Sequence, residues 1–80
     1  MIKENVPLGH LHEGETATVD SLELNGAIRR RVQELGLIPG TKITCVRVAP
    51  AGSPVAYGIR GAVVALRRRD AMGIKVSLWD

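Results

Sequence analysis

Between Asn25 and Thr41 the hydrophobic positions change rhythm. Ile28, Val32 and Leu35 recur at i, i+4 and i+7, one apolar stripe with polar residues between, which predicts an amphipathic helix from Gly26 to Leu35. Asn25 is placed to cap its start by accepting from a backbone N–H two or three residues on. Gly36 suits the left-handed position just past a helix end, and Leu37 would then fold back on Val32 as in a Schellman ending. Pro39-Gly40 follows with the residues of a type II turn, Pro setting φ and Gly supplying a positive one. The chain therefore leaves the helix sharply.

Around this helix the pattern has the shorter period of strands. Thr16 to Leu24 carries Ala17, Val19, Leu22 and Leu24, with a change of phase at Asp20-Ser21 that a bulge would produce. Lys42 to Ala49 is rich in β-branched residues, and Pro50 to Pro54 is a turn by composition. Val55, Tyr57 and Ile59 share one face of the next strand; Arg60-Gly61 reads as a two-residue hairpin turn, and Ala62 to Leu66 returns. Asp70-Ala71-Met72 fits one helical turn, and Ile74, Val76 and Leu78 alternate cleanly in a last strand. Met1 to Gly14 is polar, with Pro7, Gly9 and Gly14. It reads as a loose lead-in with a helical turn near Leu8 to Leu11, whose leucines act as small plugs. The sum is a mainly β, small α+β chain: a five-stranded closed barrel with one short helix between its first and second strands. Closure would pair the last strand with the first and leave no exposed edge. The expected division is a single domain over residues 1–80, with lead-in 1–14 and barrel 15–79.

Composition narrows the function classes. The chain has 80 residues and 45% hydrophobic content, enough for one core and no second. A single Cys excludes an internal disulfide and fits a reducing cytosol. No apolar run is long enough to span a bilayer and no signal peptide is evident, so direct membrane insertion is not expected. Net charge is +3. With one Trp, one Tyr and no Phe, the chain lacks the aromatics for a polyproline groove or for stacking single-stranded bases. The triplets Arg29 to Arg31 and Arg67 to Arg69 could meet duplex phosphates. No helix-turn-helix or zinc module accompanies them, so nucleic acid is a disfavoured partner. Catalysis has no framework either. There is no phosphate-binding glycine loop, Ser21, Ser53 and Ser77 have no local His/Asp partners, and Cys45 reads as a small buried hydrophobe. The expectation is a protein that is not an enzyme and requires no cofactor.

Two groups of residues could still bind something. His10-Leu11-His12-Glu13 offers two imidazoles and a carboxylate, a donor set suited to iron or zinc. His10 and His12 are thus candidate ligands for Fe(II) or another divalent transition metal, although two residues cannot close a four-ligand site. The arginines are the other group. Arg29 and Arg30 point away from the Ile28 stripe and sit in the first turns, where the helix dipole disfavours cations. A solvated face explains them simply; an anionic partner surface explains them functionally. Arg29, Arg30, Arg60 and Arg68 are the candidate partner contacts, because the planar guanidinium pairs well with carboxylates at interfaces.

The order of these pieces resembles a known family. It runs from Gly14 and Ala17 through Arg30-Arg31-Val32, Leu35-Gly36-Leu37, Pro39-Gly40-Thr41, Ala49-Pro50, Gly52 and Pro54. It continues with Arg60-Gly61, Ala65-Leu66-Arg67 and Ala71, and closes with Ile74 and Val76. This combination is similar to FeoA, ferrous iron transport protein A, over nearly the whole chain. The resemblance implies an SH3-like barrel with Ala65, Leu66, Ala71, Ile74 and Val76 in its core and Arg67 at the core edge. It also implies a cytoplasmic accessory role beside FeoB, the membrane ferrous iron transporter with a GTP-binding domain, and a peripheral place at the inner membrane through it. Scaffolding or regulation of the nucleotide cycle are both open, the latter by an arginine such as Arg30 or Arg68 supplied in trans. A homodimer is also open. The same fold occurs in iron-dependent repressors, so the alternatives are a free-standing module that modulates such a repressor or binds duplex nucleic acid weakly, and a metal sensor.

Overall fold

The computed structural model describes residues 3–79. In chain order the elements are β1 (Lys3–Pro7), a 3-10 turn (Leu8–His10), β2 (Thr16–Leu22), α1 (Gly26–Glu34), β3 (Lys42–Val48), β4 (Val55–Ile59), β5 (Ala62–Leu66), α2 (Arg68–Ala71) and β6 (Ile74–Trp79). The strands make one antiparallel sheet in the order β1-β6-β2-β3-β4-β5.

The helix stop is built as its residues dictate. Gly36 has φ +102°, which only glycine adopts without strain. It lets Gly36 N donate to Gln33 O and Leu37 N donate to Val32 O, each at 3.0 Å, the two bonds of a Schellman ending. Leu37 and Val32 are both fully buried as a result. Each such side chain removed from water is worth about 2 kcal/mol. The turn that follows is closed by Thr41 N on Ile38 O at 3.1 Å, with Gly40 at φ +94°. At the other end of α1 the expected cap is missing. Asn25 makes no side-chain capping bond. Arg29 instead reaches back from the first turn, its Nη1 donating to Leu22 O at 2.5 Å, and so ties the helix start to the end of β2.

The bulge in the first long strand is present. The β2–β6 register shifts between Val19 and Ser21, which turns Asp20 outward to accept from Ser77 Oγ and from Asn5 Nδ2. A second shift lies between Cys45 and Arg47, where the sequence of β3 offers no change of phase to announce it. Arg60 and Gly61, at φ +50° and +83°, form a two-residue type I′ turn that pairs Ile59 with Ala62.

Two expectations need correction. The lead-in is not loose: Lys3–Pro7 pairs with β6, Val6 opposite Val76, and makes the sheet six-stranded rather than five. Its residues are too polar to announce a strand, and the pairing comes from the partner's edge. The last strand does pair with Thr16–Leu22, but β1 and β5 end the order, so the sheet keeps two edges.

The core gathers the inward side chains of the strands with Leu8, Val32 and Leu37. Leu8, Val19, Val32, Leu37, Ile43, Val55, Tyr57, Ile74 and Val76 are all at or below 1% exposure. Leu66 and Ala71 are buried as expected; Ala65 is exposed. Strand alternation explains the difference, because Ala65 stands opposite Ala56 on the outer face of the hairpin, while Leu66 stands opposite Val55 on the inner one.

Candidate partner-binding site

The four arginines singled out from the sequence have different surroundings. Arg30 is exposed on α1, and Arg60 is exposed at the tip of the β4–β5 hairpin. That tip sits against the helix stop: a Cβ added to Gly36 would lie 3.7 Å from Ile59 Cγ2 and 3.9 Å from Arg60 Cδ. Arg29 is exposed, with its Nη1 donating to the carbonyls of Leu22 at the end of β2 and of Leu24 beyond it. Arg68 is half-buried, and its Nε donates to Gly52 O at 3.0 Å and its Nη1 to Gly9 O at 2.6 Å. Its own N–H donates to Ser53 Oγ at 3.1 Å. Arg68 therefore joins three segments: α2, the Pro50–Pro54 loop and the 3-10 turn. Arg67, expected at the core edge, is exposed and precedes α2. One residue, Arg67, separates the strand's last inward side chain, Leu66, from the start of the helical turn at Arg68; it stays extended and exposed, while Arg68 is half-buried.

His10 and His12 line one surface pocket of about 500 Å³ together with Gly9, Leu11, Glu13, Val48 and Arg68. Local bonds fix its wall. Glu15 Oε1 accepts from His12 N at 2.6 Å, and Glu13 Oε2 accepts from Val48 N at 2.7 Å. Gly14 N donates to Cys45 O and Cys45 N to Glu15 O, holding the histidine segment on β3. Both imidazoles are exposed. Among the described residues no group of three or more His, Cys, Asp or Glu side chains is placed to hold a metal ion. A closed, protein-only metal site does not fit this donor set. Glu13 clamps Val48 from 35 positions away, a role that no local pattern around it signals.

Cys45 and Tyr57 lie beneath this wall. Burial pushes the Cys45 thiol up from its ordinary range, and the carboxylates of Glu13 and Glu15 push the same way. Burial likewise pushes the Tyr57 phenol up to about 12. Its hydroxyl donates to Leu8 O at 3.5 Å. Both groups stay protonated and unreactive near neutral pH.

The FeoA domain family model matches residues 6–78. The chain belongs to the FeoA domain family. An Fe(2+) transport protein A/Fe(2+) transporter FeoB fusion protein of Porphyromonas gingivalis is 42% identical over 71 residues, which are 89% of this chain. The chain spans only 8% of that relative's length. Among solved structures, the FeoA protein of Chlorobium tepidum superposes with a TM-score of 0.88 at 36% identity, over 94% of this chain and 71% of the other. The Stenotrophomonas maltophilia FeoA complexed with zinc, described as a procaryotic SH3 domain protein, gives 0.77 at 32% identity over 86% of each chain. The fold of this FeoA domain is thus SH3-like. IdeR of T. acidophilum shares the fold at 24% identity and a TM-score of 0.83, over 94% of this chain and 34% of the other.

Proposed function

We propose that this FeoA domain is a non-catalytic accessory of ferrous iron uptake that works in the cytoplasm by docking on an FeoB-type transporter. The observation that carries this reading is the fusion relative, in which a segment 42% identical to this chain shares a polypeptide with the transporter. A tether of that kind holds two partners at high effective concentration, which is useful where they bind each other. No helix of the described residues is long and apolar enough to cross a membrane. Arg30 and Arg60 are the exposed contacts offered to a carboxylate of the partner, while Arg29, also exposed, is held by the Leu22 carbonyl and the half-buried Arg68 by those of Gly52 and Gly9.

The test is capture of a detergent-solubilised FeoB transporter on the immobilised chain. We expect retention, weakened about tenfold in Arg30→Glu/Arg60→Glu, as two rim ion pairs become repulsions. No retention of the transporter by the unaltered chain overturns the reading. GTP hydrolysis by the transporter, measured with and without the chain, separates a regulator from a scaffold; of Arg30 and Arg68, the exposed Arg30 is the better placed to act in trans, since Arg68 is held by Gly52 and Gly9.

A metal role has narrower support. Zinc accompanies one relative's structure, and His10 and His12 share a pocket with Glu13 here. Any ion held there would need ligands from a partner or from water, so association with Fe(II) would be weak in the isolated chain. Anaerobic titration of the chain and of His10→Ala/His12→Ala tests this, since tight stoichiometric binding lost in the double variant would replace docking by ligation.

A further inference from the structure

Strand β5 ends the sheet, and its composition is unusual for an edge. Ala62, Val63 and Ala65 are exposed, Val63 to 66% of its full surface. Native edges are ordinarily blunted by an inward charge, a proline or a bulge; Ala62–Leu66 contains no charge and no proline, and its pairing with β4 runs without a register shift. The type I′ turn sets the hydrogen-bond phase. Ile59 and Ala62 flank it as a bonded pair, so the bonded positions alternate and the N–H and C=O of Val63 and Ala65 face away from β4. The outer face beside this edge is also apolar and low. Gly58 stands opposite Val63, and Ala56 opposite Ala65. Val46, 48% exposed at the β3 bulge, leans over Gly58, where an added Cβ would lie 3.3 Å from its Cγ2. The result is a smooth shelf leading to a backbone edge that no described strand pairs.

Charge says what fits there. Arg60 precedes the strand, Arg67 and Arg69 follow it, all three are exposed, and no acidic residue stands between positions 60 and 69. A second copy of this chain is a poor occupant. Antiparallel pairing of β5 with itself would bring Arg60 toward the other copy's Arg67–Arg69 end, and parallel pairing would bring like ends together; both are repulsive. A strand with an apolar centre and carboxylates at both ends gains at every position: ladder bonds at Val63 and Ala65, apolar contact with the shelf, and ion pairs at the ends.

We propose that the open β5 edge, framed by Arg60, Arg67 and Arg69, binds an extended, acidic-ended peptide segment of a partner protein as a seventh strand. This binding mode does not depend on the transporter being that partner. The probe is a synthetic peptide of alternating Val and Thr with two Glu at each end, added to the full chain. Amide hydrogen exchange read by NMR should slow at Val63 and Ala65 on saturation, while Val64, bonded to β4 already, changes little. Arg60→Glu/Arg67→Glu/Arg69→Glu should weaken the peptide about tenfold, and added salt should weaken it in the unaltered chain. Val63→Pro removes one outward donor at a position where an edge tolerates proline, and should abolish binding. Val63→Thr keeps the donor and should retain it. The proposal is overturned if exchange at Val63 and Ala65 is unchanged, if the peptide binds instead in the His10–His12 pocket, or if both amides slow with rising protein concentration alone, which would give the edge to a second copy.

Discussion

Strands β6 and β5 are both short, apolar and regular, yet they meet opposite fates. β6 lies between β1 and β2, and Ile74, Val76 and Ser77 in it are buried to within 1%. β5 has one neighbour, and three of its five residues are exposed. Hydrophobicity does not separate them. The difference is that β6 was joined on both sides by strands distant in sequence, while β5 was joined only by the hairpin partner next to it. An apolar strand is a core element only where something covers it, and what is left uncovered is available to a partner.

Mutations can test that contrast. Ile74→Ala, in the covered strand, should cost the most, about 3 kcal/mol in urea unfolding, through lost burial and a residual cavity. A cost under about 1 kcal/mol would show that β6 is less well packed than its exposure implies. Arg68→Ala should come next, at about 2 kcal/mol, because the half-buried carbonyls of Gly52 and Gly9 lose a charged donor. Arg68→Lys should recover only part of this, since an ammonium cannot span both carbonyls as the guanidinium fork does.

The inner face of the β4–β5 hairpin should also reveal itself by pH. Tyr57, opposite Val64, has its phenol raised from 10.0 to about 12. Above 10.0 the unfolded chain releases this proton while the folded chain keeps it, so stability is full below that pH and falls as pH rises from 10.0 to about 12. Denaturant midpoints across that range check it, and Tyr57→Phe should flatten the fall. The smallest effect belongs to the outer face. Val63→Thr should change stability by less than about 0.5 kcal/mol, because its side chain leaves little behind in the fold. A larger loss would mean that the shelf is covered within the chain itself.

Much of the frame was readable from local signals. The stripe Ile28–Val32–Leu35, the stop at Gly36 and the turns at Pro39-Gly40 and Arg60-Gly61 each depend on residues within a few positions of one another. So does the phase change at Asp20. Lys3–Pro7 was illegible as a strand, since its own residues ask for none and β6 supplies the reason. The arginines were the least legible. Arg67 and Arg68 are adjacent and chemically identical, and the residue expected at the core edge proved to be the exposed one. The pocket's histidines were visible as a pair, but nothing nearby in sequence tells that Glu13 clamps Val48, 35 positions away.

From the amino-acid order alone came the family, the amphipathic helix with its abrupt end, most of the strands and the inward side of those that alternate cleanly, such as Val55–Ile59. Those properties follow from backbone preference and from periods of two or 3.6 residues. Tertiary structure alone decided which strand stays at the edge, which arginine is spent on Gly52 and Gly9, and which remains free. These outcomes turn on meetings between segments as far apart as Gly9 and Arg68, 59 residues, where closure of the chain, rather than any local preference, chooses the neighbours.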